Sequence, residues 1–320
     1  MTLAAFTPEQ YAAAHRLLAA KVARMMGRKL EEGDWAEVYC RAKGLPSRRW
    51  SNLNIDVMHE GLGVEHKMLC YRSDASIARA CGETLMHPAA TRAIRIPIGR
   101  ISADRAMREI LQQYADLIRQ RTEQVREQAP PGTGPDMRTG WLLWQESLRQ
   151  FLYFEERMTA PNPDDYTAEW VQSGGGSRKA SRNLWIYTRA TGRKRFSVTT
   201  SAGAKIQPYF DVPPPTDQNL YIFTVIGEVI NDGTVRCWIT HSTWQELQEI
   251  LGQVTSATIT QAIQENLAEL APAEAGPIAQ DPAQPLDISA ETYALLKSRL
   301  PGINDDHCFQ LLIRLLRRRR

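Results

Sequence analysis

Apolar positions recur at helical spacing from the start of the chain. Tyr11, Ala14, Leu18, Val22 and Met25 share one face behind Thr7 as N-cap, with Pro8 and Glu9 in the first turn. They predict a helix over 8–30, closed by Gly27 or Gly33, and a shorter helix follows over 34–43, stopped by Gly44 and Pro46. The period then changes. LNIDVM (53–58) and LGVEHKMLC (62–70) read as strands, and the HEG between them reads as a tight turn, so the pair predicts a hairpin. A helix near 74–86, a strand near 92–98 and a long polar-faced helix over 102–128 come next. After the loop PPGTGPD, residues 138–159 predict another amphipathic helix with Trp141, Trp144, Leu148, Phe151 and Leu152 on one side, as core or as a dimer face.

From about 183 to 240 the pattern is strands: NLWIYTRA, RFSVTT, NLYIFTVIGEVI and, after an Asn-Asp-Gly turn, TVRCWITH. Helices near 243–252 and 255–270 follow. The Pro- and Ala-rich stretch 271–287 reads as a linker, and 288–320 as a small helical unit ending in Arg317–Arg320. That arginine run reads either as a frayed, solvated tail or as nonspecific phosphate attraction. No internal repeat is present. The order of elements gives a mixed α/β (α+β) fold.

Composition changes this picture little. The chain has 320 residues, 43% hydrophobic, and 39 basic against 36 acidic residues, net +3. So even a balance says nothing about partners until the charges are located. The five cysteines, Cys40, Cys70, Cys81, Cys237 and Cys308, are scattered and form no CxxC pair, which fits free thiols in a reducing compartment. No basic start precedes an apolar run, and nothing approaches the roughly 18 consecutive apolar residues of a membrane span. The expectation is a soluble protein of a prokaryotic cytoplasm. No Walker loop, GxSxG elbow or HExxH occurs, and GEVINDG (227–233) reads as a hairpin turn, lacking calcium-loop spacing.

The most specific chemistry is Asp56 followed nine residues later by Glu65-His66-Lys67. Strand side chains alternate, so Glu65 and Lys67 share a face and His66 points away. A hairpin sets Asp56 beside them. Two carboxylates favour a hard divalent cation, which can acidify a water and accept phosphate oxygens. A neighbouring lysine can hold that water or neutralise the transition state. Burying such charges among Leu62, Val64, Met68 and Leu69 would be costly without a function. A structural reading also fits: Asp56 caps a turn and Glu65 pairs with Lys67 on an exposed face. His59 and His66 flank the motif as surface or satisfied core residues. Glu60 is a substitute ligand if the register differs, and Glu83 reads as a solvated helix charge.

Asp56 with Glu65-x-Lys67 on adjoining strands resembles the PD-(D/E)xK nuclease superfamily, whose best-known members are type II restriction endonucleases. The likeness covers roughly residues 30–100 and departs at Ile55, where the pattern has proline. It implies a restriction-endonuclease-like core, a central mixed sheet flanked by helices, in the order helix, three strands, helix, strand. It implies Asp56, Glu65 and the His66 carbonyl as ligands of Mg²⁺, with Mn²⁺ as a substitute. It also implies Lys67 as the partner of the nucleophilic water and Glu37 as a further acidic residue on the first core helix. On this basis 1–136 is a nuclease core with its N-terminal helix, and 137–270 is a strand-rich recognition region with flanking helices. The linker 271–287 and the helical unit 288–320 complete the chain.

Between Glu169 and Asp211 no acidic residue occurs, while Arg178, Lys179, Arg182, Arg189, Arg193, Lys194, Arg195 and Lys205 do. They alternate with Trp185, Tyr187 and Phe196 behind a flexible SGGGS. Cations and hydroxyls suit phosphates, and arginine suits base edges, so the stretch reads as a DNA-binding ribbon. A solvated strand face of unusual composition, or a site for RNA or another polyanion, fits the same residues. Together these features predict a Mg²⁺-dependent, sequence-specific endonuclease of double-stranded DNA. It is expected as a homodimer or higher homo-oligomer, with a cognate DNA methyltransferase acting on the same site. A modification-dependent or phage-defence nuclease of the same superfamily, and a noncatalytic DNA-binding protein, are the alternatives.

Overall fold

The computed structural model describes residues 1–25, 29–46, 55–72, 75–88, 94–96, 101–173, 181–199, 205–272 and 282–319. After a short strand β1 (Thr2–Leu3), Thr7 and Gln10 form a reciprocal capping box that starts α1 (Pro8–Ala23). α1 ends short of the predicted 30. α2 (Glu32–Lys43) closes on Gly44, whose φ of +69° is the left-handed cap. Both helices lay Leu18, Trp35 and Tyr39 on one face of the main sheet.

That sheet begins with β2 (Val57–His59) and β3 (Leu62–Cys70), joined by Glu60 and Gly61, both at positive φ. Two central residues of that kind make a primed hairpin turn, which matches strand twist. The predicted hairpin is therefore present, with Val57 opposite Val64. The chain next forms a 3-10 turn at Ile77–Ala80 and β4 (Thr84–Met86), not the predicted helix over 74–86. Gly82 at φ +83° breaks that helical pattern. Of the strand predicted near 92–98, residues 94–96 have no regular structure and the others lie outside the described residues.

The long helix α3 (Ala103–Glu127) is as predicted and carries the chain to β5 (Asp136–Trp144), which runs parallel to β3. β6 (Gln150–Arg157) returns antiparallel to β5. The predicted helix over 138–159 is thus two strands. WLLW and FLYF are central strands buried on both faces, so their apolar runs are continuous and carry no period of two to read.

β7 (Tyr166–Ser173), β8 (Ser181–Thr188), β9 (Lys194–Thr199) and β10 (Lys205–Asp211) form a second, antiparallel sheet with β4, in the order β4-β10-β9-β8-β7. Met107, Ile110 and Leu111 of α3 pack on Leu184, Ile186, Val198 and Ile206 of this sheet. α3 is therefore shared: its first half covers the second sheet, and its second half reaches the main one. β11 (Tyr221–Thr224) and β1 both pair with β6, completing the main sheet in the order β1-β6-β5-β3-β2.

β12 (Glu228–Asn231) and β13 (Thr234–Thr240) lead to α4 (His241–Leu251) and α5 (Ser256–Asn266). β14 (Ala283–Ser289) then pairs with the whole of β13, followed by α6 (Ala290–Arg299) and α7 (Asp305–Arg319). The expected linker 271–287 therefore gives way at residue 283, and residues 273–281 lie outside the described residues. Nor do the last helices form a unit of their own. Leu286, Leu296 and Phe309 share one core with Ile239, Leu247 and Ile259, because β14 alternates Leu286 and Ile288 inward. The fold is mixed α/β, with seven α-helices and three sheets among the described residues. No described helix is long and apolar enough to cross a membrane.

Candidate active site

Alternation along β3 divides the motif between two faces. Glu65 and Lys67 point toward α3, opposite Thr139 and Trp141 on β5. His66 points the other way, fully buried against Trp35, Tyr39 and Tyr153. The hairpin ladder ends at Val57–Val64, and among the described residues no strand lies beside the next edge position of β3. Asp56 fills that place with its side chain: Oδ2 accepts the His66 N–H at 2.7 Å. This bond holds the carboxylate at that edge, beside Glu65.

Glu65 is only 6% exposed. Its Oε1 meets Lys67 Nζ at 2.8 Å and Arg121 Nη1 of α3 at 2.8 Å. Its Oε2 is buried with no hydrogen-bond partner. Burial, and then the charge of Glu65, raise the Asp56 carboxyl to about 7; Lys67 and the His66 N–H oppose the rise. The Glu32 carboxyl, at the start of α2, is also raised by burial, and it feels both Lys67 and Glu65. Asp56, Glu65, Lys67 and Glu32 thus form one electrostatic cluster.

Glu37 does not join it. Its carboxylate pairs with Lys21 at 2.6 Å and with Arg41 at 3.6 Å, on the side of α2 toward α1. Five residues along a helix turn the side chain by roughly 140°, so Glu32 and Glu37 cannot face one point. Sequence reasoning missed Arg121 and Glu32. Arg121 had a signal: it interrupts the apolar stripe Tyr114, Ile118, Val125 of α3. Glu32 had only its nearness to a helix start. His59 and Glu60 approach each other at the exposed hairpin turn, and Glu83 accepts a bond from the Tyr71 hydroxyl.

Among the described residues no three His, Cys, Asp or Glu side chains are gathered to hold a metal ion. Asp56 and Glu65 supply two carboxylates. A cation would give the unpartnered Glu65 oxygen a partner and would offset the burial and the Glu65 charge that raise Asp56, so the two carboxylates are compatible with a metal that takes few protein ligands, as Mg²⁺ does. Beside Lys67 and Arg121 opens a cavity of about 600 Å³ between the main sheet, α3 and the second sheet.

The basic stretch is acid-free in sequence but not in space. Arg193 and Arg195 pair with Asp211 at 3.6 and 2.6 Å. Arg189 donates to the Asp164 carbonyl, and the Arg182 guanidinium lies 4.1 Å over Trp170. Lys194 sits 3.2 Å over Trp185, and burial lowers its pKa. Lys205 pairs in register with Thr199, and Arg178 and Lys179 lie outside the described residues. Of the terminal arginines, Arg317 pairs with Glu246 and Arg319 with Glu269, tying α7 to α4 and to the segment after α5 instead of fraying; Arg320 lies outside the described residues.

No family model matches the chain, and no curated protein or solved structure matches it.

Proposed function

We propose that the chain is a Mg²⁺-dependent endonuclease of double-stranded DNA, of the type II restriction kind, with Asp56, Glu65 and Lys67 as its catalytic residues. One observation carries this: a buried carboxylate, a partly buried one and an ammonium meet at one edge of β3, and one oxygen of the buried carboxylate has no partner. The β2–β3 hairpin and the α3 crossover to a parallel β5 support this reading, whereas the strand before α3, β4, joins the second sheet instead of extending the hairpin into the three-strand meander of such a core.

Asp56, Glu65 and the His66 carbonyl would hold the cation, with water and substrate phosphate completing its shell and Mn²⁺ as a substitute. When bound, the metal supplies Lewis-acid polarisation of the phosphodiester and a more acidic water. Lys67 orients that water and offsets charge growing on the phosphate; Arg121, on the same Glu65 oxygen, adds a second cation to that field. Arg178, Lys179, Arg182, Arg189, Arg193, Lys194, Arg195 and Lys205 bind the phosphate backbone. Cutting both strands calls for two such sites, hence a homodimer or higher homo-oligomer in the cytoplasm, and a cognate DNA methyltransferase protects the host's sites.

One observation favours a noncatalytic DNA-binding protein instead: Glu65 Oε1 is already shared by Lys67 and Arg121. Supercoiled plasmid separates the two. The nuclease predicts linear or fragmented product with Mg²⁺ and none with EDTA. Binding without Mg²⁺-dependent cleavage, on methylated and unmethylated plasmid alike, would leave the carboxylates structural.

A further inference from the structure

The cavity next to Lys67 is not required by hydrolysis itself, and its walls are unlike a duplex groove. Its volume of about 600 Å³ falls within the roughly 300–1,000 Å³ of small-molecule sites. Four aromatic rings line it, each from a different element: Tyr114 of α3, Trp141 of β5, Phe196 of β9 and Tyr209 of β10. The rings are fixed in place. Trp141 stacks on Phe210 with centroids 3.9 Å apart and planes 12° apart, and its Nε1 donates to Glu156 Oε1 at 2.9 Å. Tyr114 packs edge-on to Phe196 at 5.9 Å. Among the described residues the charged side chains of the lining are Lys67, Arg121, Arg157 and Glu156, three cations to one acid.

An aromatic slot beside paired cations matches an anionic ligand with a flat ring. Aromatic faces hold bases by stacking, and lysine and arginine hold phosphates. We propose that this cavity seats one unstacked nucleotide, its base among the aromatic walls and its phosphate toward Lys67 and Arg121. The assignment rests on the nucleic-acid reading above and names the form in which the polymer is taken: a base outside the stack, either extruded from a duplex or belonging to a single strand.

Calorimetric titration of the full chain in EDTA tests it, with deoxynucleoside 5′-monophosphates, deoxynucleosides and inorganic phosphate as ligands. Monophosphates are expected to bind at least about tenfold tighter than inorganic phosphate, the effect of one base–aromatic stack, and about tenfold tighter than deoxynucleosides, the effect of losing the charge-assisted phosphate contacts. Leu117 lines the cavity without belonging to any core cluster. Leu117→Trp should therefore fill the slot and weaken monophosphate binding by a similar factor without changing the melting temperature. Phe196→Leu should weaken it as well. Phosphate binding as tightly as the monophosphates, or both variants binding like wild type, would overturn the assignment.

Plasmid cleavage keeps the two proposals apart. Cleavage with Mg²⁺ but no monophosphate binding removes the nucleotide pocket and leaves the nuclease. Monophosphate binding without cleavage does the reverse. Oligonucleotides carrying 2-aminopurine then identify the source: brighter fluorescence within a duplex marks an extruded base, and binding confined to single strands marks an end or gap.

Discussion

Asp56 acts on the backbone before it acts on anything else. Its carboxylate accepts the His66 N–H on the edge of β3, and that bond brings it to Glu65. Alternation, which is legible in sequence, put Glu65 and Lys67 on one face. The choice between Glu37 and Glu32 was not legible, because it depends on how α2 is rotated against the sheet. Glu32→Gln should change the Mg²⁺ dependence of cleavage, since Glu32 shares the field of Glu65 and Lys67. Glu37→Gln should leave it unchanged and cost about 1 kcal/mol of stability or less, since the partly buried Lys21 keeps Asp34 at 3.6 Å. Equal effects in a Mg²⁺ titration would contradict this assignment. His15 makes a second residue-scale prediction. Burial lowers its pKa more than the bond to the Thr224 carbonyl raises it. The unfolded chain therefore takes up the proton first as pH falls below 6.5, and stability is lost in that direction, by less than about 1.4 kcal/mol per pH unit. Urea melts of wild type and His15→Phe across pH 5–8 should differ in that slope.

Among the elements, β3 and α3 build the site together, and their contact is close. A Cβ on Gly63 would fall 2.4 Å from Val125 Cγ2 and 2.8 Å from the Met137 sulfur. Gly63→Ala should thus force α3 away from β3, costing about 1–3 kcal/mol. It should also loosen the Arg121–Glu65 contact two residues along β3. A melting temperature equal to wild type would contradict the packing. The β2–β3 hairpin could be read from its turn residues, and α3 from its polar-faced period. β5 and β6 could not, because strands covered on both faces lose the alternation that would identify them. β14 was hidden for another reason: AQPLDIS lies in a Pro- and Ala-rich stretch, and only pairing with β13 makes it a strand.

On the scale of the whole molecule, α3 is wedged between two sheets and the cavity opens where they diverge. The mixed α/β class was legible, and so were the strands between residues 183 and 240, but the shift to strands comes earlier, at Asp136, where the sequence predicted a helix. The joining of the C-terminal helices to β13 was not, since it follows from a long-range partner. The charge pattern also changed meaning in three dimensions, because Asp211 returns across the second sheet to Arg193 and Arg195. DNA cleavage by Asp56, Glu65 and Lys67 is the proposed activity. Its most direct test is the single-turnover rate of plasmid cleavage by Glu65→Gln at saturating Mg²⁺, with the fold checked by circular dichroism. The predicted result is a rate lower by at least about 100-fold, the usual loss on removing one electrostatic group from such a site, with DNA binding retained. Cleavage by Glu65→Gln at the wild-type rate would contradict it.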